Sequence, residues 1–190
     1  MSQPQNILDK FALKFSRIVD KFTDYIIVSG FVAISSGRAR ATEDIDMIIA
    51  PIPLVEYRIL HKDLVQHGFE CLQSNNPTKI YCDYLSQHTS VRYVEKERML
   101  PQMELKFARD ALDLYQLNTK TKLPLTGLDL WFSNVNVNIA FKEHLLKSEK
   151  DLEDARHLRI VYPELVSEKE IRKVSELIER WRLKNHEKKR

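Results

Sequence analysis

Residues 28–46 read V-S-G-F-V-A-I-S-S-G-R-A-R-A-T-E-D-I-D, and this stretch decides how the first half of the chain folds. The β-branched and aromatic run at its start predicts a strand over residues 25–28, which stops at the tight turn Ser29-Gly30. The segments that follow are predicted as a short helix, a loop and a second, strongly apolar strand, over residues 31–36, 37–42 and 45–50.

Two aspartates separated by one residue stand where the second strand begins. Because side chains alternate between the two faces of a strand, Asp44 and Asp46 point the same way and Ile45 points the other way. Two carboxylates on one face repel each other unless a cation lies between them, and hard oxygen ligands at this spacing suit Mg²⁺ or Mn²⁺. The alternative is an exposed strand end whose acids pair with arginines. The apolar strand around Asp46 favours the metal, because a lone charge is hard to tolerate there.

The turn Ser29-Gly30 predicts an anion site. A glycine at a strand end lets the backbone approach a ligand closely, and the first amides of the next helix have no partner inside that helix. Such a turn is more often only a connection. Together with a carboxylate pair on the neighbouring strand, however, it provides the groups that hold a metal-bound nucleoside triphosphate.

The remaining elements place an N-terminal α/β part before a helical part. The first helix carries its apolar side chains on one face: Leu8, Phe11, Phe15, Ile18 and Phe22. Later segments are predicted as a helix over 54–67, strands over 69–72, 79–84, 90–94, 103–107 and 127–132, and helices over 137–146, 149–161 and from 168 to the end. The last two helices each follow a serine that precedes an acid by three residues, the capping-box pattern.

Composition limits the classes of protein to consider. The chain has 190 residues, 43% of them hydrophobic and 30% charged, which is typical of one globular unit. The net charge of +3 is too nearly balanced to require a nucleic-acid partner. Two cysteines without metal-ligand spacing indicate a reducing, cytoplasmic setting. The lack of any apolar run of membrane-spanning length predicts that the protein does not enter a membrane.

The motifs V-S-G-F-V-A and G-R-A-R-A-T-E-D-I-D-M-I-I resemble the signature of the nucleotidyltransferase superfamily with the DNA polymerase β type of fold. The resemblance is strongest to its small prokaryotic members, the minimal nucleotidyltransferases and the AbiEii-type toxins. In that family a hydrophobic strand ends in Gly-Gly or Gly-Ser, and Ser29 stands here for the first glycine. The resemblance implies an α+β fold in which a mixed β-sheet core flanked by helices, residues 1–133, carries a C-terminal helical part, residues 134–190.

The family pattern also implies a third carboxylate from a later strand. Glu104 is the favoured candidate, because alternation along residues 102–107 sends Met103 to the core and Glu104 to the opposite face. Glu95, at the end of V-R-Y-V-E, is the alternative. For either residue an exposed ion pair remains the simpler interpretation.

Two segments of the helical part resemble those that close the active-site cleft in small nucleotidyltransferases. They are I-A-F-K, which ends at Lys142, and K-S-E-K-D-L-E-D-A-R, residues 147–156. The resemblance implies that Lys142 or Lys150 reaches the triphosphate, and that Asp151 and Asp154 orient these lysines or a base. Read from the residues alone, the second segment is a helix whose acidic first turn is favoured by the helix dipole.

The implied activity is transfer of a nucleoside monophosphate from an NTP to an acceptor, a protein, an RNA or a small molecule, with release of pyrophosphate. The residues assigned to catalysis and to Mg²⁺ or Mn²⁺ are Asp44, Asp46 and Glu104. Those assigned to the nucleotide are Ser29, Gly30, Arg40, Lys142, Lys150 and Asp151, with Arg38 as the alternative to Arg40. Two rival hypotheses are a non-catalytic member of the fold, such as the antitoxin half of a toxin-antitoxin pair, and a sugar-nucleotide glycosyltransferase.

Overall fold

The computed structural model describes residues 6–39 and 41–187. The strands are β1 Tyr25–Val28, β2 Asp44–Ile49, β3 Phe69–Cys71, β4 Val91–Glu95 and β5 Gln102–Phe107. The helices are α1 Ile7–Val19, α2 Gly30–Ser35, α3 Leu54–Gln66, α4 Pro77–Asp83, α5 Ala111–Asn118, α6 Val135–Ala140, α7 Glu149–Val161 and α8 Glu168–Glu187, and a π-helical segment, Phe141–Leu146, follows α6. Within these two described ranges, no helix has the length and apolar character needed to cross a membrane.

The five strands form one mixed sheet in the order β1-β2-β5-β4-β3. The two central strands, β2 and β5, run parallel, and the other neighbouring pairs are antiparallel. In this register Asp46 lies beside Val28 of β1 on one side and beside Glu104 of β5 on the other. The predicted α+β architecture with a mixed sheet is therefore confirmed.

One face of the sheet is covered by α1, α3 and α4 and holds most of the core. The predicted apolar face of α1 packs here, with the ring of Phe15 centred 5.1 Å from Phe69 and 5.5 Å from Tyr93. The odd-numbered residues of β5 point to this side and are buried. Alternation then sends the even-numbered residues, Glu104 among them, to the other face.

The second face is covered only in part by α5. A small apolar cluster packs there, formed by Ile26, Ile48, Ala108 and Leu117. The helices α6, α7 and α8 pack against one another, and α7 and α8 also contact α2 and α5 respectively. A space therefore remains between the second face of the sheet and the C-terminal helices. The division into parts 1–133 and 134–190 stays a prediction.

The predicted strand over residues 79–84 is wrong, because helix α4 occupies this segment. Asn76 caps the helix by accepting hydrogen bonds from the amides of Thr78, at 2.9 Å, and Lys79, at 3.3 Å. Pro77 stands at the first helical position, where its missing N–H costs nothing. Local capping therefore outweighs the strand preference of the β-branched and aromatic side chains.

The predicted strand over residues 127–132 is also wrong. The segment is extended and buries alternate side chains, Leu128, Leu130 and Phe132, but it forms only isolated bridges from Phe132 to Ile27 and Thr121. The helix predicted over 137–146 begins earlier, at Val135, and becomes π-helical from Phe141. The predicted serine caps are present, since Ser148 accepts a hydrogen bond from the amide of Asp151 at 3.2 Å.

A buried polar cluster between α3 and the sheet predicts acid sensitivity. The hydroxyl of Tyr93 is hydrogen-bonded to His61 Nδ1 at 2.8 Å and to the hydroxyl of Tyr57 at 2.7 Å. Burial lowers the pKa of His61, although a hydrogen bond to the backbone of Asn75 opposes the shift. The folded protein therefore prefers the neutral imidazole. This preference stabilises the folded protein fully at pH values above about 6.5, the pKa of histidine in the unfolded chain. The stabilisation is lost as the pH falls toward the lower pKa of His61 in the folded protein.

Chemical unfolding at pH 7.5 and pH 5 measures this effect. We expect the wild-type free energy of unfolding to fall by more than that of His61→Gln over this interval, because glutamine does not titrate. His88→Asn, at an exposed position, is the matched control and should keep the wild-type dependence. An equal loss of stability in His61→Gln and wild type would contradict the assignment.

Candidate active site

A cavity of about 300 Å³ lies between the second face of the sheet and the C-terminal helices. The strands contribute Val28, Asp46, Met47, Ile48, Glu104 and Lys106, and the segment leading into α5 and α5 itself contribute Arg109, Asp110, Leu112, Asp113 and Gln116. The C-terminal part contributes Asn138, Phe141, Lys142, Leu145, Leu146 and Trp181. Ser29 lines the cavity at the end of β1.

The surroundings of Asp46 alter the pKa of its carboxyl group. Burial raises the pKa of its carboxyl group, a hydrogen bond from the Ser29 side chain lowers it, and the neighbouring carboxylates of Glu104 and Asp44 raise it further. The net shift is upward, so a negative charge is disfavoured here. Asp44 is exposed at the start of β2. The pair therefore combines repulsion with partial burial, which is the condition that a bound cation relieves.

The structure distinguishes the two candidates for the third carboxylate by their position. Glu104 lies beside Asp46 and on the same face of the sheet. Its Oε1 accepts a hydrogen bond from Ser90 Oγ at 2.7 Å, and its Oε2 accepts one from Arg92 at 2.9 Å. Glu95 points to the opposite face, where it pairs with Lys14 of α1 at 2.8 Å. Glu104 is thus the candidate that shares the cavity with Asp46.

The donor chemistry of this site fits a hard divalent cation, since all three predicted ligands are carboxylates. Across residues 6–39 and 41–187, however, no three His, Cys, Asp or Glu side chains are already gathered closely enough to hold a metal. Glu104 is engaged by Ser90 and Arg92 instead. The ligand set of Asp44, Asp46 and Glu104 therefore stays a prediction.

The predicted turn at Ser29 has an unusual backbone. Ser29 has φ of 65° and ψ of −139°, a region that glycine adopts freely and other residues adopt at a cost of about 1–3 kcal/mol. Gly30 follows as the buried first residue of α2. Serine at position 29 is thus held in a conformation suited to the glycine that the family motif has there. The side chain that it gains hydrogen-bonds to Asp46.

Two substitutions at Ser29 should separate strain from hydrogen bonding. Ser29→Ala keeps the strained backbone and loses the bond to Asp46, so we expect a loss of roughly 1 kcal/mol in the free energy of unfolding. Ser29→Gly loses the same bond but relieves the strain, so it should be more stable than Ser29→Ala by about 1 kcal/mol or more. Denaturant unfolding of both variants tests this order, and an alanine variant as stable as the glycine variant would refute it.

Lys142 lies in the cavity lining although it is almost fully buried, at 1% exposure. Its Nζ is 2.8 Å from Asp154, which is fully buried, and 3.3 Å from Asp151. Arg38, in the loop before β2, also pairs with Asp154. The pKa of Asp151 is lowered: burial alone would raise it, but hydrogen bonds from Ser148 and Lys142 lower it by more. Lys142 thus contacts both aspartates, and its role in binding a nucleotide stays a prediction.

Lys150 does not line the cavity, and the position of Arg40 is not described. The side chain of Lys150 is exposed and does not line the cavity, while its backbone carbonyl accepts a hydrogen bond from Arg38 at 3.1 Å. Arg40 lies outside the described residues. Of the cations predicted for the nucleotide, Lys142 is therefore the one that the described structure puts in the cavity lining.

Sequence reasoning missed several polar residues of the cavity. Lys106 follows Glu104 on the same strand face, and its Nζ lies 3.2 Å from Asp113 Oδ1. Asp113 also accepts a hydrogen bond from the amide of Arg109 at 3.0 Å. The alternation that placed Glu104 also placed Lys106, so this signal was available. Trp181 also lines the cavity, and only the packing of α8 shows that it does so.

Glu104→Gln tests the transfer activity that the sequence resemblance implies. Because glutamine cannot accept a proton and is a weaker metal ligand, we expect nucleotide binding to persist and transfer to fall by roughly 100-fold or more. The measurement is release of pyrophosphate compared with calorimetric binding of the same NTP. Glu95→Gln, on the opposite face of the sheet, is the matched control. Equal rates in Glu104→Gln and wild type would remove Glu104 from the reaction.

Comparisons with known proteins agree with this geometry at the level of the fold. No family model and no curated protein sequence matches the chain. The solution structure of the antibiotic-resistance factor ANT(2'')-Ia superposes with a TM-score of 0.57 and 12% identity, covering 95% of this chain and 96% of that one. The crystal structure of an antigenic nucleotidyltransferase-like protein from Paracoccidioides brasiliensis superposes with a TM-score of 0.53 and 18% identity, covering 90% and 88%. The chain therefore has the nucleotidyltransferase fold.

Proposed function

We propose that the protein is a metal-dependent nucleotidyltransferase, which moves a nucleoside monophosphate from an NTP to a hydroxyl acceptor. The observation that supports this most strongly is the pairing of Asp46 with Glu104 on adjacent parallel strands, in the lining of a cavity. Burial raises the pKa of Asp46 and the neighbouring carboxylates of Glu104 and Asp44 raise it further, which is a condition that a bound cation relieves.

The proposed reaction forms one bond and breaks one. The acceptor oxygen attacks the α-phosphorus of the NTP, and the bond from that phosphorus to the pyrophosphate oxygen breaks. Mg²⁺ or Mn²⁺ held by Asp44, Asp46 and Glu104 would neutralise the phosphate charge as the leaving group departs. Glu104 either completes this ligand set or accepts the proton of the attacking hydroxyl. Backbone amides at Ser29 and Gly30, together with Lys142 and Arg40, are proposed to bind the phosphates.

The acceptor and the partners are proposed only as classes. A protein hydroxyl, an RNA 3′ end and a small alcohol all fit the chemistry. One structural neighbour is an antibiotic-resistance factor, and for this reason the small alcohol is retained as a candidate acceptor. Membership of the AbiEii-type toxins, with a cognate antitoxin as partner, is a narrower form of the same proposal. The rival is a non-catalytic protein of the same fold, and the engagement of Glu104 by Arg92 favours it.

Calorimetric titration of ATP, CTP, GTP and UTP, first with Mg²⁺ and then with EDTA, tests the proposal because it does not require the acceptor to be known. We expect at least one NTP to bind in Mg²⁺ and to lose most of its affinity in EDTA. Absence of binding for all four nucleotides in Mg²⁺ and in Mn²⁺ would favour the non-catalytic alternative.

A further inference from the structure

One part of the cavity lining is apolar. Two aromatic and two aliphatic side chains, here called the apolar wall, form it: Phe141, Leu145, Leu146 and Trp181. The carboxylates Asp46 and Glu104 line the same cavity. Phosphate oxygens and a metal ion need polar partners, so the apolar wall offers them nothing. Its chemistry fits a flat, largely apolar part of the ligand.

The indole of Trp181 is held in one orientation. Its Nε1 donates a hydrogen bond to Asp110 Oδ2 at 2.9 Å. Asp110 is fixed in turn, because its Oδ1 accepts hydrogen bonds from the amides of Leu112, at 3.0 Å, and Asp113, at 3.1 Å, at the start of α5. An aromatic ring held in this way loses little conformational freedom when a ligand stacks on it, which favours binding.

Two buried amides in the cavity lining provide polar groups near the apolar wall. Gln116 and Asn138 are 5% and 4% exposed. Gln116 Oε1 accepts a hydrogen bond from Ser133 Oγ at 3.1 Å, and Asn138 Nδ2 donates to the carbonyls of Ser133 and Asn134. Within the described chain, Gln116 Nε2 and Asn138 Oδ1 have no hydrogen-bond partner. The lining therefore retains a donor and an acceptor, the combination that the edge of a nucleobase requires.

We propose that the apolar wall binds the nucleobase of the NTP, with Trp181 stacked on the base and with Gln116 and Asn138 hydrogen-bonded to its edge. This inference rests on the proposed function and assigns a site to the part of the nucleotide that the carboxylates do not bind. Stacking on an aromatic side chain contributes roughly 5- to 100-fold to affinity for a base. Affinity for the nucleotide should therefore depend on Trp181, and affinity for its phosphates alone should not.

Tryptophan fluorescence gives a direct readout, because the chain has two tryptophans. Trp131 lies under Lys120 and Lys122, at 4.8 and 4.2 Å from its ring, and does not line the cavity. In Trp131→Phe the remaining signal comes from Trp181 without any change in the cavity. We expect ATP with Mg²⁺ to quench this signal and inorganic triphosphate with Mg²⁺ to leave it unchanged.

Calorimetry on two variants completes the test. Trp181→Leu should lose roughly 5- to 100-fold in affinity for ATP and keep wild-type affinity for inorganic triphosphate, while Trp181→Phe, which keeps a ring but not the bond to Asp110, should lose less. If ATP binds with no change in the Trp181 fluorescence and with wild-type affinity in Trp181→Leu, the nucleobase site is overturned and the proposed function stands. If none of the four NTPs and no inorganic triphosphate binds the wild type in Mg²⁺ or Mn²⁺, both are overturned.

Discussion

Asp46→Asn is expected to remove metal-dependent nucleotide binding while making the protein without metal more stable. Asparagine keeps the size of the side chain and can still accept the hydrogen bond from Ser29, but it lacks the charge that a metal requires. Mutating a residue that only hydrogen-bonds to a metal ligand lowers metal affinity by roughly 10- to 100-fold. Loss of the ligand itself should therefore lower metal affinity by at least about 100-fold. Calorimetric titration of an NTP in Mg²⁺ measures this loss.

The gain in stability follows from the raised pKa of Asp46. A carboxyl group whose folded pKa lies above its unfolded value destabilises the folded state once it is ionised. At pH 7 the wild type carries this cost and Asp46→Asn does not. The difference in the free energy of unfolding should shrink as the pH falls toward the ordinary aspartate range near 3.9. Asp83→Asn, at an exposed position, should change neither binding nor stability. Nucleotide affinity that survives in Asp46→Asn would remove the metal site from the proposal.

Lys142→Met is expected to cause the largest loss of stability. The substitution takes a cation away from Asp154, which is fully buried, and from Asp151. Removing one member of a buried ion pair costs about 3–5 kcal/mol, because the charge left behind has lost its compensation. We expect a value near the lower end, since Arg38 also pairs with Asp154. For a chain of this length the melting temperature should fall by roughly 6–12 °C.

Lys150→Met is the matched control, because Lys150 lies in the neighbouring segment, residues 147–156, and is exposed. It should stay within about 0.5 kcal/mol of wild type. The double variant Lys142→Met with Asp154→Asn should be less destabilised than the sum of its single variants by at least about 1 kcal/mol, because neutralising Asp154 removes the buried charge that Lys142 helps to balance. A cost below about 1 kcal/mol for Lys142→Met would contradict the buried pairing.

The central part of the fold was predictable because its signals are local and agree with one another. β1, the turn at Ser29, α2 and β2 follow one another within 25 residues, each with its own periodic or turn signal. The alternation in β5 placed Glu104 on the face opposite to Met103, as the structure has it. The site could be predicted to the extent that it depends on strand alternation.

The errors arose where two local signals competed. Residues 79–84 contain strand-forming side chains, yet Asn76 and Pro77 provide a cap and a first helical residue. Helix α5 was missed although Asp110 precedes Asp113 by three residues, the same spacing that identified the caps of α7 and α8. Giving capping signals more weight than side-chain preference would have corrected both segments.

The remaining part of the site could not be predicted because it depends on contacts between distant segments. Trp181 enters the cavity through the packing of α8, and its bond to Asp110 spans 71 residues. Arg92 and Ser90 meet Glu104 through strand pairing. No periodicity in the sequence encodes which side chains of two such segments meet.

The parallel pairing of β2 with β5 also determines when the proposed active site can form during synthesis. Asp46 and Glu104 are 58 positions apart, and the strand that joins them to one sheet is the last of the five to leave the ribosome. Trp181 follows far later, in α8. A growing chain thus carries its aspartate pair early, adds Glu104 later and completes the cavity lining only once Trp181 has emerged.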